Sequence, residues 1–303
     1  MQMPCCGALK IFVLLKLQYR RECMELPPLK LGYPAVMDRR VCSLLSRLQV
    51  LSDIAEPSAK QVHQIRTHIK KLRSWLRLAK NEDNSNDLVP LDRLLHELAD
   101  TYATIRSSQV HLQTLFRLEA ECNSSDLAAQ CRALAASLPP APRVISGKLD
   151  TNGILHHLQS AFPKVSGQPK YTILAALERS HKRARKLSRS KKIRQGNQEE
   201  LHRLRKRVKN LDYQLMLAGS DSNKGVTLRR KQLGELSEAL GLLHDLVEIR
   251  KFLQESSGHP GNRYPDVMAL LKLQQQAYTG MALKAADEVL DIKTSCFLQS
   301  ASP

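Results

Sequence analysis

Apolar residues recur every three or four positions along most of this chain, which is the period of a helix with one buried face. Alternating runs of β-branched residues do not stand out. The pattern predicts a first helix over 35–52, broken by Pro57. Ser58 and Gln61 have the spacing of a capping box and open the next helix. A polar loop spans 81–87, and Pro90 opens a long helix reaching residue 122. Another helix covers 125–137, and Pro139-Pro140-Ala141-Pro142 marks a hinge. A short helix follows near 154–162. Beyond Pro169 the pattern predicts helices over 170–194, 198–218, 227–256 and 266–292, with loops at 219–225 and 257–261.

Two of these helices carry the same phrase. His63, Arg66 and Lys70 stand at offsets of zero, three and seven, and so do His202, Arg205 and Lys209. Apolar residues thread both copies at matched places: Val62, Ile65, Ile69, Leu72 and Leu76 against Leu201, Leu204, Val208, Leu211 and Leu215. Each copy is therefore a helix with one edge in a core and a basic, histidine-bearing edge beside it. His202 lies 139 residues after His63, and Leu240 lies 142 after Leu98. Near-equal offsets at two places point to an internal duplication. The expected fold is all-α: two pseudo-symmetric antiparallel four-helix bundles, with a two-fold site that collects negative charge.

Composition sharpens this picture. The chain has 303 residues, with 42% hydrophobic and only 4% aromatic residues. That is enough apolar material for a core built mostly of Leu and Ala. The formal net charge of +18 exceeds what solubility needs and attracts polyanions. The excess is concentrated between Arg179 and Lys209, where Glu199 and Glu200 are the opposing acids. Residues 1–34 lack core periodicity and read as an N-terminal extension of disordered character, with Met24 and Met37 as alternative starts. The apolar stretch at 8–17 is too short to span a membrane. Seven cysteines at scattered spacing form no CxxC pair, and reduced thiols in the cytoplasm are the simplest account.

The doubled motif resembles that of the conserved histidine α-helical domain, the CHAD family. The family pattern is His, Arg three later, a basic pair at seven and eight, then Leu and Arg, once per half. His63, Arg66, Lys70, Lys71, Leu72 and Arg73 match it closely. The second copy keeps His202, Arg205, Lys209, Leu211 and Tyr213, but has Asn210 and Asp212 where basic residues are usual. Leu240-Gly241-Leu242-Leu243-His244-Asp245 resembles the family's Leu-Gly segment with its Asp, whereas Leu98-Ala99-Asp100-Thr101-Tyr102-Ala103 lacks the Gly and the Asp. The resemblance covers roughly residues 38–293, within a domain taken as 35–303: first half 35–138, hinge 139–168, second half 169–293. It implies a non-catalytic helical protein that binds inorganic polyphosphate in a basic cavity or groove between the two halves, in the cytoplasm and at polyphosphate granules. No cofactor or metal is expected.

His63, Arg66, Lys70, Arg73 and Arg77 form one row about 20 Å long. Such a row suits an extended chain of repeated charges. Arginine offers paired donors to phosphate oxygens and lysine a mobile point charge. Lys71 stands beside the row. In the second half the row is His202, Arg205 and Lys209, with Lys206 next to it. Arg179, Lys182, Arg183 and Lys186 on the preceding helix are expected to face the same cavity. Arg203 and Arg207 leave the row and are read as solvated. His244-Asp245 is read as a structural pair, and the other histidines as ordinary structural residues. The histidines of the motif are expected to have lowered pKa values among so many cations, so that anion binding takes up protons and strengthens as the pH falls toward 6.

Competing classes remain open here. RNA or another nucleic acid fits the charge, but one Trp and five Phe leave few stacking platforms. A helical adaptor for an acidic partner also fits the charge. Phosphoryl transfer needs metal-holding carboxylates or a Walker-type loop, and neither is in the sequence.

Overall fold

The computed structural model describes residues 34–54, 56–80, 85–139, 151–165, 170–220, 222–255 and 263–298. Nearly all of the N-terminal extension, most of the proline-rich hinge and the loop after residue 256 lie outside the described residues. All the elements are helices: α1 (Pro34–Ser52), α2 (Ala59–Ala79), α3 (Ser85–Thr101), α4 (Ala103–Glu121), α5 (Ser125–Ser137), α6 (Thr151–Val165), α7 (Lys170–Ser188), α8 (Lys191–Arg194), α9 (Gln198–Ala218), α10 (Lys224–Glu255), α11 (Pro265–Leu290) and α12 (Thr294–Leu298).

Capping and periodicity explain where the motif helices lie. Ser58 and Gln61 form the expected capping box at the start of α2, which satisfies two backbone donors. Asn197 caps α9 by accepting the Glu200 N–H at 3.0 Å, and Glu199 and Glu200 in the first turn complement the helix dipole. The apolar stripes enter the core completely. Ile65, Ile69 and Leu72 on α2, and Leu204, Val208, Leu211 and Leu215 on α9, have no exposed surface. Each such burial contributes about 1.5–3 kcal/mol.

Two predicted helices are divided. The helix expected from Pro90 to 122 starts earlier, at Ser85, and Pro90 lies inside α3. It then breaks at Tyr102, whose φ of −97° and ψ of 6° end the helical run before α4 begins. The helix expected over 170–194 stops at Ser188, and Ser190 caps the short α8 by accepting from the Ile193 N–H. Gly196, with φ of 74°, makes the turn into α9.

Packing joins the two copies of the motif. α2 lies against α9. Each also packs on the long helix before it, α1 for α2 and α7 for α9, and on the long helix before the other, so α2 meets α7 and α9 meets α1. Arg40 of α1 reinforces this exchange by donating from Nη1 to the Met216, Leu217 and Gly219 carbonyls at 2.7, 3.0 and 2.7 Å. Those carbonyls end α9 and have no partners within the helix. α10 covers α9, meets α4 and carries α11. Among the described residues no helix is long and apolar enough to cross a membrane.

Candidate polyanion site

Burying the apolar stripes of α2 and α9 against a common core fixes where their basic edges point. His63, Arg66 and Lys70 from α2 meet His202, Arg205 and Lys209 from α9. Arg106 of α4 and His244 and Asp245 of α10 complete the cluster. The electrostatic environment shows how close they are. Burial first, then Arg106, Lys209, Lys70 and Arg66, lowers the pKa of His63. Burial first, then Lys206, Arg205 and Lys70, pushes His202 down to about 4. His63 is thus acted on by Lys209 and His202 by Lys70, the same pairing with the halves exchanged.

The lysines are the most stressed cations. Burial and the neighbouring Lys209, Arg66, Arg205 and Arg106 bring Lys70 down to about 7. Burial and Arg205 bring Lys209 down to about 8, against the pull of Asp245 and Asp212. A shift of this kind means that the protonated form is disfavoured without a counter-charge. Asp245 supplies part of one. Its carboxyl is raised by burial, while Arg205, Arg117, Arg106 and Lys209 act in the opposite direction.

The two motif arginines are held by small residues. Arg66 donates from Nη1 to the Ala99 carbonyl, in the last turn of α3 before the Tyr102 break. Arg205 lies along α10 at Gly241: a Cβ placed there would stand 3.6 Å from its Nε and 3.8 Å from its Nη2. Its Nε is buried with no hydrogen-bond partner among the described residues. Nε and Nη2 of Arg117 are in the same condition. Buried donors of this type are normally satisfied, so each marks a place where an acceptor fits. His202 and His244 face each other with their Nδ1 atoms 3.1 Å apart and ring centroids 4.2 Å apart. Burial and the surrounding cations bring His244 down to about 3. With both rings neutral, one Nδ1 donates and the other accepts.

A family model for the CHAD domain matches residues 39–254. The chain belongs to the CHAD family. A crystal structure of the CHAD domain from the plant Ricinus communis is similar in fold, with a TM-score of 0.50 and 16% sequence identity, covering 89% of this chain and 94% of that one. No curated protein matches the sequence.

The remaining residues of the expected row are placed differently within this CHAD fold. Arg73 turns away from the cluster to Asp92 of α3, donating from Nε at 2.8 Å and Nη2 at 3.1 Å. Arg77 shares that carboxylate at 3.5 Å and also donates to Asn210 Oδ1 at 3.0 Å. Ser74 Oγ donates to the same oxygen at 3.2 Å. Lys71 lies on the other side of α2, where Arg230, Asp212 and Arg47 act on it. Lys206 is exposed beside the His202–His244 pair. Arg179, Lys182, Arg183 and Lys186 are exposed on α7, and Lys182 is paired with Glu178 at 2.6 Å. The charges that act on Lys70, His202, Arg205 and Lys209 come instead from α2, α4, α9 and α10.

The departure from the family pattern at Asp212 has a structural counterpart. Asp212 follows Arg73 by 139 residues, and Arg230 follows Asp92 by 138. Arg230 donates from Nε to Asp212 Oδ1 at 3.1 Å. Both halves therefore tie the motif helix to a following helix by an ion pair at matching positions, with the charges reversed. The substitution of Ala99 for glycine is explained similarly: a Cβ at Gly241 would make ordinary contact with Arg205, so alanine fits beside the arginine of either half.

Arg106, Arg117 and His244 enter the site from outside the doubled motif. His244 was legible as part of the Leu-Gly segment, but its contact with His202 was not. The two arginines belong to no repeat, and only packing reveals them. Among the described residues no group of three or more His, Cys, Asp or Glu side chains is arranged to hold a metal ion. His68 contacts the Gln64 carbonyl one turn before it, and His111 of α4 packs against the Phe252 ring of α10. Cys42, Cys122, Cys131 and Cys296 form no disulfide among the described residues.

Proposed function

We propose that this chain binds inorganic polyphosphate, without catalysis, in a basic groove where its two motif helices meet across a pseudo-two-fold axis. The observation that carries this reading is the crowding of Lys70 and Lys209. Two half-buried lysines with pKa values near 7 and 8, beside Arg66, Arg106 and Arg205, have little carboxylate to balance them. A multivalent anion relieves that repulsion and satisfies the buried Arg205 Nε. Arginine presents a forked donor pair to phosphate oxygens, and the lysines add point charges that track successive phosphates. The exchanged pairings His63 with Lys209 and His202 with Lys70 support a two-fold site.

Polyphosphate is favoured over single-stranded RNA because the site is ionic and Tyr213, the tyrosine that acts on Arg205, is half-buried. Trp75, the one tryptophan, is fully buried in the core. Sequence-tolerant RNA binding draws on stacking of bases against aromatic side chains. Competition between polyphosphate and RNA at fixed salt tests the reading: displacement of RNA by polyphosphate at lower concentration is expected, and the reverse order overturns it. The cytoplasm and its polyphosphate granules are the proposed location, and localisation of a tagged chain with and without cellular polyphosphate tests this.

A further inference from the structure

The cations of the site do not end at Lys70. Ser74 and Arg77 follow Lys70 at one and two turns along α2, on the same face. Both are joined to Asn210 of α9 by the hydrogen bonds described above. Arg203, Arg207 and Asn210 stand at offsets of zero, four and seven on α9 and so form one row. Arg179, Arg183 and Lys186 form a row of the same spacing on α7, which packs along both α2 and α9. Arg77, Arg207 and Arg183 also act on one another in sequence, Arg207 on Arg77 and Arg183 on Arg207. Acids remove part of this surface: Asp92, held by Arg73, also reaches Arg77 at 3.5 Å, Glu200 takes Arg203 at 2.6 Å, and Glu178 takes Lys182 at 2.6 Å. Arg183 and Arg207 are exposed and have no carboxylate within ion-pairing distance among the described residues.

The opposite side of the motif helices differs. There Asp212 sits among Arg230, Lys71 and Lys209. A half-buried carboxylate at that edge repels a polyanion and already neutralises the nearest cations.

We infer that a long polyphosphate chain held in the central cluster leaves it in one direction, past Ser74, Arg77 and Asn210, onto the exposed face formed by Arg207 of α9 and Arg183 of α7. This rests on the polyphosphate reading and deepens it. The central cluster grips a few phosphates, and the α7–α9 face adds affinity only for ligands long enough to reach it. It also gives a role to α7 residues that lie outside the cluster.

The test uses the full chain, the double variant Arg183→Ala with Arg207→Ala, and Arg47→Ala as a control on the Asp212 side. All three substituted positions are exposed. Binding of tripolyphosphate and of long-chain polyphosphate is measured across a salt series, with a thermal melt of each protein. Removing two phosphate-contacting cations is expected to weaken long-chain binding about five- to tenfold at low salt and make its salt slope shallower by about one to one and a half. Tripolyphosphate binding by the double variant, and both ligands with Arg47→Ala, should match wild type. Equal losses for both chain lengths, no loss for either, or a loss of RNA binding with polyphosphate binding unchanged overturns the path. Failure of the wild type to bind polyphosphate of any length is a separate result that removes the functional reading itself.

Discussion

In the first half, Arg73 on α2 reaches Asp92 on α3; in the second, Asp212 on α9 receives Arg230 from α10. The positions correspond and the signs are exchanged. The His-Arg-Lys row shows no such exchange, and its charges are the same in both halves. The difference follows from what each face meets. The row faces its own copy in the shared cluster, where the proposed anion would draw on cations from both. The flanking position makes its ion pair within its own half, where either polarity makes a bridge. The face where the two motif helices meet is thus alike in charge, and the flanking faces differ in polarity. A consequence is electrostatic asymmetry: the α2 flank keeps two arginines on one carboxylate, whereas the α9 flank places a carboxylate next to Lys71.

The largest expected effect concerns the motif arginines. Gly241→Leu should displace Arg205 and remove charge-assisted contacts of about 1.5–3 kcal/mol, a loss of roughly ten- to hundredfold in polyphosphate affinity. Gly241→Ala should copy the first half, leaving affinity unchanged and raising stability by up to about 1 kcal/mol through helix propensity. Calorimetric titration and thermal melts check both. Wild-type affinity in Gly241→Leu would remove Arg205 from the site.

Next comes the reversed ion pair. Asp212→Arg alone sets a cation against Arg230 and Lys71, and should cost about 1–2 kcal/mol of stability for this partly exposed pair. Adding Arg230→Asp should restore most of it and give the second half the polarity of the first. The double variant should bind polyphosphate a few-fold more tightly than wild type. Chemical denaturation of the four proteins of the cycle measures the coupling, and additive effects would show that the two residues do not form the bridge.

The pH dependence is carried more by lysines than by histidines. Lys70 and Lys209 have folded-state pKa values, about 7 and about 8, below the unfolded value of 10.5. Between those limits the unfolded chain binds more protons, so this pair adds stability as the pH rises from about 7 toward 10. A bound anion raises both pKa values again. Polyphosphate binding should then take up protons and tighten as the pH falls from 9 to 6. His202 and His244, near 4 and 3 in the free protein, reduce stability as the pH falls below 6.5, because the unfolded chain then takes up protons that the fold refuses. Titrations in buffers of different ionisation enthalpy report the proton uptake. Polyphosphate affinity independent of pH from 6 to 9 would contradict the crowded-lysine account.

The smallest effect concerns the caps that start the two motif helices. Ser58→Ala and Asn197→Ala should each cost about 1 kcal/mol, and their similar size would mark α2 and α9 as equivalent supports. Thermal melts suffice to measure it.

The motif helices were legible in the sequence because local forces set them. The predicted ends of α9 agree with the structure, and the capping box of α2 was visible in two residues. The diversion of Arg73 and Arg77 was not legible. Periodicity places both on the basic row, but Asp92, 19 residues from Arg73, captures them through a contact between helices. The break at Tyr102 was hidden for a similar reason: no proline or glycine marks it. It ends α3 beside the carbonyl that holds Arg66, and it starts the helix that supplies Arg106. Arg106 and Arg117 reach the cluster only through the packing of α4 on α2 and α10, which no spacing within α4 encodes.

The proposed site has both halves gripping one polyphosphate chain in the shared cluster. It is tested most directly by long-chain polyphosphate binding to wild type, Arg66→Ala, Arg205→Ala and the double variant across a salt series. The account predicts tight wild-type binding, a clear loss and shallower salt slope for each single variant, and a further loss in the double. A double variant that binds like wild type, or a wild type that binds RNA better than polyphosphate, would contradict it.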